Sequence, residues 1–315
     1  FTGQLRNIVR HRSSLIAQVA DNTKRIAQSL RLMNIRLDVA VSDITGKSGM
    51  NIIKAIISGE RDATSLAQLC DTNVKKSKEE IALALNGFYR NDYLFQLKQL
   101  MNTYEFLQQQ IQEVDKELNA MLDKHLHDSH KNDLVFDQKK KEKKRIQKNA
   151  PAFDIDRKSF QLFNGVNMME IPGISYSTVL IFVSEVGEGI SKFSSAKAFC
   201  SWLRLSPNKK ITGGKVIGNS IRHGANILSV ALRNASNTIG NMKADIPLTR
   251  FFKRLAFKYG RGAAITATAR KLAVIIWNMI TKQQPYTQLS NQVYEQRIRT
   301  ITLKNIQRKI SKLKI

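Results

Sequence analysis

Apolar residues in this chain recur three and four apart almost from end to end, and that helical period organises it. Between residues 5 and 35, Leu5, Ile8, Val9, Leu15, Ile16, Val19, Ile26 and Leu30 fall near one stripe with Arg and Lys elsewhere, which predicts one long helix. Arg6, Arg10, His11 and Arg12 cluster near its start and read as a solvated face beside a core stripe. From 42 to 92 the pattern breaks into short helices. Thr45-Gly46-Lys47-Ser48-Gly49 marks a turn before Met50, Ile52, Ile53, Ile56 and Ile57, and Gly59 stops that helix. Ser77-Lys78-Glu79-Glu80 has the form of a capping box: the serine oxygen takes the third helical N–H and Glu80 reaches back. From 94 to 122, Leu97, Leu100, Tyr104, Leu107, Ile111, Val114, Leu118 and Met121 form an a/d seam. That seam predicts a coiled-coil arm, either folded against the first helix or pairing between chains.

The second half begins near Phe153. Ile171-Pro172-Gly173-Ile174-Ser175 predicts a tight turn, with Gly173 free to adopt a conformation other residues avoid and Ser175 capping a helix that ends at Gly187. A helix start of this kind offers free amides to phosphate, in the manner of a helix-hairpin-helix. Trp202, Leu203 and Leu205 read as core. Asn208-Lys209-Lys210-Ile211-Thr212-Gly213-Gly214-Lys215 reads as a Gly-rich, Lys-rich loop. A helix is expected from about Asn219, presenting Arg222, Asn226 and Arg233. Two helices follow over 248–282 with Gly260 and Gly262 between them, the second largely buried. A basic amphipathic helix then runs from Leu289 onward through Val293, Ile298, Ile301, Ile306, Ile310 and Leu313. No strand-like alternation stands out, so the expected fold is all-α. Its expected parts are a helical scaffold and coiled-coil arm (1–130), a basic linker (131–152), a helical C-terminal domain with the helix-hairpin-helix-like turn (153–286) and a basic helical tail (287–315).

Charge changes the picture. The 315 residues carry 51 Lys and Arg against 25 Asp and Glu, a formal net charge of +26, with a pI of about 10.2. Self-repulsion of that size opposes compaction and fits a polyanionic partner, nucleic acid first and an anionic membrane second. The apolar run Leu272–Ile280 is too short to span a bilayer. Cys70 and Cys200 lie far apart with no metal or disulfide pattern, which points to a reducing cytosol. His125, His127 and His130 lack a Cys or acidic partner for a metal site and read as a solvated helix end. The run Lys139 to Arg145 is expected to neutralise phosphates without reading sequence. Neither Gly-Lys pair makes a P-loop: Val41 stands five before Gly46 where glycine is needed, Lys209 stands in the same place before Gly214, and Val216 follows Lys215.

The combined motifs carry a resemblance. I-P-G-I-S-x6-F-V-S-E-V-G, then F-x6-F-x-S-W-L-x-L-S-P-N-x-K-I-T-G-G-K-V, A-N-x6-L-R-x-A and A-I-T-A-T-A-R-K-L-A-x-I-I-W-N-M, with S-D-I-T-G-K-S-G-M upstream, resemble the insertion-sequence transposases of the IS one-hundred-ten family. These are also called DEDD transposases or bridge-RNA-guided recombinases. The resemblance implies a bacterial, nucleoid-associated, cytoplasmic enzyme that cuts and rejoins DNA. It implies a RuvC-like domain holding Mg2+ through four acidic residues, a nucleophilic serine before a glycine pair in the C-terminal domain, and a structured guide RNA as partner.

Two departures shape the expectation. The chain begins after the acidic tetrad, so no residue is assigned to metal and Mg2+ is expected in a RuvC-like domain absent from this chain. Thr212 stands at the serine position, with the same attacking oxygen and a methyl group that restricts it. The expected site is therefore Thr212 as nucleophile, with Gly173, Ser175, Lys209, Lys210, Gly213, Gly214, Lys215, Arg222, Asn226 and Arg233 contacting nucleic acid. The partners are DNA, a guide RNA and further copies of the chain, with no membrane. The alternative is a non-catalytic nucleic-acid-binding remnant of such a transposase.

Overall fold

A computed structural model describes residues 1–131, 134, 148–213, 215–221 and 226–313. The expected basic linker from Lys139 to Arg145 lies outside them. The N-terminal part runs α1 (Thr2–Leu32), α2 (Leu37–Ala40), α3 (Lys47–Ser58), α4 (Ala63–Gln68), α5 (Lys78–Leu85) and α6 (Asn91–Asp128). The C-terminal part runs α7 (Ile155–Leu162), α8 (Tyr176–Glu185), α9 (Ala196–Trp202), β1 (Pro207–Thr212), β2 (Lys215–Ile221), α10 (Ile227–Asn241), α11 (Pro247–Tyr259), α12 (Arg261–Lys282) and α13 (Asn291–Leu313). The fold is helical, as the periodicity predicts, apart from the single antiparallel hairpin β1–β2. Two compact units divide the chain, Arg10–Glu117 and Phe1–Val9 with Leu118–Ile315.

In the first unit the apolar stripe of α1 buries Leu15, Val19, Ile26 and Leu30 against Leu97, Met101, Tyr104 and Leu107 of α6 and the short helices α2 to α5. The a/d seam of α6 is thus occupied within the chain. Asn22 Nδ2 donates to the Leu100 carbonyl at 2.7 Å and Ser29 donates to the Tyr93 carbonyl at 3.4 Å, so the two helices run antiparallel. The Ser77 capping box forms as predicted. The Gly46–Gly49 turn also has a packing explanation. Asp43 accepts from the Thr45 amide and hydroxyl at 3.0 and 2.9 Å, and a Cβ on Gly49 would lie 2.2 Å from the Ile44 carbonyl oxygen. Only glycine lets helix α3 start that close to the preceding turn.

Arg12 departs from its expected solvated face. It is 4% exposed, and its guanidinium grips the Asp115 carboxylate in a fork at 2.5 and 3.1 Å. Two charges removed from water are tolerated because each satisfies the other through paired, charge-assisted hydrogen bonds.

In the second unit α12 packs against α9, α10 and α11, and α8 packs against α7 and α10. Phe163, Phe182 and Phe199 meet edge to face in the core beneath them. Leu203 and Leu205 are buried as predicted, but Trp202 is 41% exposed and lies over Phe199 and Phe193 rather than inside. The α9 helix ends at Trp202, which leaves that ring at its rim. Among the described residues α12 is the one helix long and apolar enough to cross a membrane; less than half of its apolar stretch is buried, the part that packs against α9, α10 and α11. His125 is not a solvated end either: its ring stacks on Phe1 at 3.7 Å and meets the Glu188 carboxylate at 2.9 Å. In the tail, Tyr294 is buried while Ile301, Leu303, Ile306 and Ile310 are each about half exposed.

Asp115→Asn leaves a buried guanidinium short of its counter-charge and is expected to cost about 3–5 kcal/mol in urea denaturation, against about 1 kcal/mol or less for the double change Arg12→Met, Asp115→Leu. Equal losses for the two variants would show that the pair is not acting as a buried ion pair.

Candidate nucleic-acid interface

The stretch expected to be a Gly-rich loop opening a helix at Asn219 is instead the hairpin. Thr212 pairs with Lys215 across a two-residue turn that begins at Gly213, Lys209 pairs with Asn219, and Pro207 pairs with Ile221. Gly213 has φ +56, the left-handed value that the tight turns of two-residue hairpins require. The register slips between Lys210 and Ile211, where Lys210 faces Gly218 and Ile211 faces Val216, so Ile217 is an extra residue in β2 and stands 68% exposed. The signal for this was present: Ile211, Thr212, Val216, Ile217 and Ile221 are β-branched, and they flank exactly the Gly-Gly pair that favours a hairpin. Lysine-rich composition masks the alternation.

The hairpin brings together Thr212 and Gly213, both exposed at its tip, with the backbone of Lys209, Lys210 and Lys215 on either side. Gly214 and Arg222 lie outside the described residues. The helix expected from Asn219 begins at Ile227, because residues to Ile221 are strand. Asn226 is its N-cap, with its side-chain oxygen 3.2 Å from the Ser229 amide. Arg233 lies two turns along α10 and is partly exposed.

Gly173 and Ser175 occupy a different environment. Gly173 has φ +84, and a Cβ there would meet the Ala235 carbonyl oxygen at 2.8 Å and Ile239 at 2.7 Å on α10. Ser175 caps α8 by accepting from the Thr178 amide at 3.2 Å. Packing and capping account for both residues.

The electrostatic setting is one-sided. Asp245 is the single Asp or Glu between Glu188 and Glu295, a stretch that contains the hairpin and α9 to α12. Asp245 and Glu295 both accept from Arg250. The neighbouring cations Lys253, Arg254, Lys258 and Lys271 on α11 and α12 are interleaved with Phe251, Phe257 and Tyr259. Interleaved rings and cations are a nucleic-acid signal that the helical reading of 248–282 passed over. Among the described residues, no three His, Cys, Asp or Glu side chains converge on a metal position.

Residues 166–248, which include α8, α9, the hairpin and α10, match the family model for the transposase IS116/IS110/IS902 family. That stretch is similar to the transposase domain of that family. Over 122 residues it is also 27% identical to the transposase for insertion sequence element IS1111A of Coxiella burnetii (strain RSA 493 / Nine Mile phase I), a match covering 38% of this chain and 33% of that relative. The matched stretch thus spans about a third of the relative's length. Within the matched stretch, Thr212, Gly213 and Ile217 of the hairpin are exposed, while α8 and α10 pack against each other.

Gly173→Ala is expected to lower the stability of this unit by about 2 kcal/mol or more, since both the φ and the contact with α10 forbid a methyl group. A thermal melt unchanged within about 1 °C would show that the turn is not packed as described.

Proposed function

We propose that the chain is part of a DNA transposase of an insertion sequence, with the Thr212 hydroxyl as nucleophile in strand cleavage and rejoining. The observation that supports this most is the position of Thr212: exposed at the tip of a hairpin, directly across from Lys215, in a stretch where Asp245 is the single Asp or Glu between Glu188 and Glu295. A hydroxyl oxygen attacking a scissile phosphorus forms one P–O bond as another breaks, so the reverse step rejoins the strand without an energy source. Lys209, Lys210, Lys215, Arg222 and Arg233 would offset the negative charge that grows on the phosphoryl oxygens, and Gly213 and Gly214 would let the tip approach the backbone closely.

The fuller reading includes a RuvC-like domain supplying Mg2+, a structured guide RNA, a bacterial cytoplasmic setting without membrane attachment, and assembly of several copies. Because Leu97, Tyr104 and Leu107 are already buried in the chain, an interchain contact on α6 would use its exposed Phe95 and Phe106. A non-catalytic nucleic-acid-binding protein is the competing reading, favoured by threonine in place of serine.

Strand exchange by the complete recombinase, with element ends, guide RNA and Mg2+, decides between them. Thr212→Ala is expected to reduce exchange by ~10³-fold or more, and Thr212→Ser to retain it. Exchange by Thr212→Ala at the wild-type rate would remove Thr212 from the chemistry. Exchange by the serine variant alone would show that this chain has lost the activity through the substitution.

A further inference from the structure

Outside the hairpin, α11 and α12 interleave aromatic rings with cations around an open groove. Phe257 is 97% exposed on α11. Lys253 and Arg254 precede it by four and three residues, so all three share one side of the helix. Arg254 also lies over the Phe251 ring at 5.9 Å, and Lys271 of α12 lies over the same ring at 4.4 Å. Phe251 lines an open groove of about 740 Å3 whose other walls include Leu205, Gly262, Ala263, Ala267 and Lys271.

Lys271 explains what the groove lacks. It is partly buried, with Tyr294 on its other side at 5.6 Å. Burial, reinforced by Arg254 and Arg297, holds its ammonium below the usual lysine range. Like charges gathered beside a low-dielectric surface repel one another unless an anion joins them. The carboxylates of Asp245 and Glu295 are engaged by Arg250, and Lys253 also acts on Asp245. A protein partner would need an acidic surface and would leave the rings without purpose. Phosphates with planar bases answer both the cations and the rings.

We propose that these helices bind an unpaired strand of nucleic acid, with one base lodged in the groove against Phe251, a base further along the strand stacked on Phe257, and the phosphates between them held by Arg254 and Lys271. A paired strand cannot serve, because its bases are already stacked and present no free face to the rings. The proposal rests on the nucleic-acid-acting reading above and adds a second site to it.

Fluorescence anisotropy on the full chain tests this, using labelled single-stranded DNA, single-stranded RNA and a blunt DNA duplex across a salt series. Phe257→Ala, and Ala263→Phe to fill the groove, are each expected to weaken single-strand binding about 5- to 100-fold and to leave duplex binding within about twofold. Phe257→Tyr should behave as wild type. Lys271→Met should lower the single-strand salt slope by about 0.7, the value for one phosphate. The DNA and RNA arms separate the two sources of an unpaired strand. Because Phe257 and Ala263 are exposed, unchanged melting of the variants is expected and removes misfolding as an explanation. Single-strand binding within twofold of wild type for both variants would overturn the site while leaving the transposase reading intact, and so would equal losses on duplex. Failure of the wild-type chain to bind any of the three probes would overturn both.

Discussion

Burial of α12 between α9, α10 and α11 is the constraint on which the C-terminal unit depends. Its inward positions include Ala264, Thr268, Ala269 and Ala273 beside Leu272 and Ile276, and the small ones let neighbouring backbones come close. Even Cys200 of α9 reaches the Arg270 carbonyl. The same closeness recurs nearby, where a Cβ on Gly240 of α10 would fall 2.4 Å from the Phe252 ring of α11. A packed helix of this kind allows little sliding, since interior packing leaves few voids to absorb a shift. The outer faces of α10 and α11 are thereby fixed in relation to each other. Rigid support is what a site needs when its ligand is a strand with regularly spaced charges.

The second determinant is where the carboxylates are used. Glu185 meets Arg6, Glu188 meets Lys131 and His125, and Asp245 and Glu295 meet Arg250. Each joins segments far apart in sequence or anchors a helix start. In the first unit Asp115 serves Arg12 in the same way. With those acids committed to architecture, the described cations of α11 and α12 meet mostly rings and amides, as Arg261 meets Asn237 and Asn241 and Lys271 meets Phe251, and the chain keeps a net charge of +26.

Long apolar stripes made α1, α6 and α12 legible, because a period sustained over many residues leaves few alternatives. The capping box at Ser77 and the stop at Gly59 were legible because each depends on local chemistry alone. The hairpin was hidden for a physical reason. A two-stranded ribbon with polar residues has no buried face to impose alternation, and the Gly-Gly pair looks the same in a phosphate loop and in a turn. Arg12 was misread because a cation on an amphipathic helix is ordinarily solvated, and its partner lies 103 residues away. The family motifs located Thr212, but nothing in the local sequence fixed its exposure or its register.

The two glycine turns of the C-terminal unit show why motif and role must be separated. Gly173 and Gly213 both have positive φ, and each precedes or follows a hydroxyl residue within two positions. Gly173 is pressed onto α10, so its missing side chain makes room for protein. Around Gly213, its chain neighbours aside, no atom of the described residues lies within 4 Å of where a Cβ would sit. A glycine kept in open space is needed there only for its backbone conformation, and it leaves the approach to the neighbouring Thr212 clear. The first turn is set by packing against its neighbour helix, and the second by backbone conformation alone.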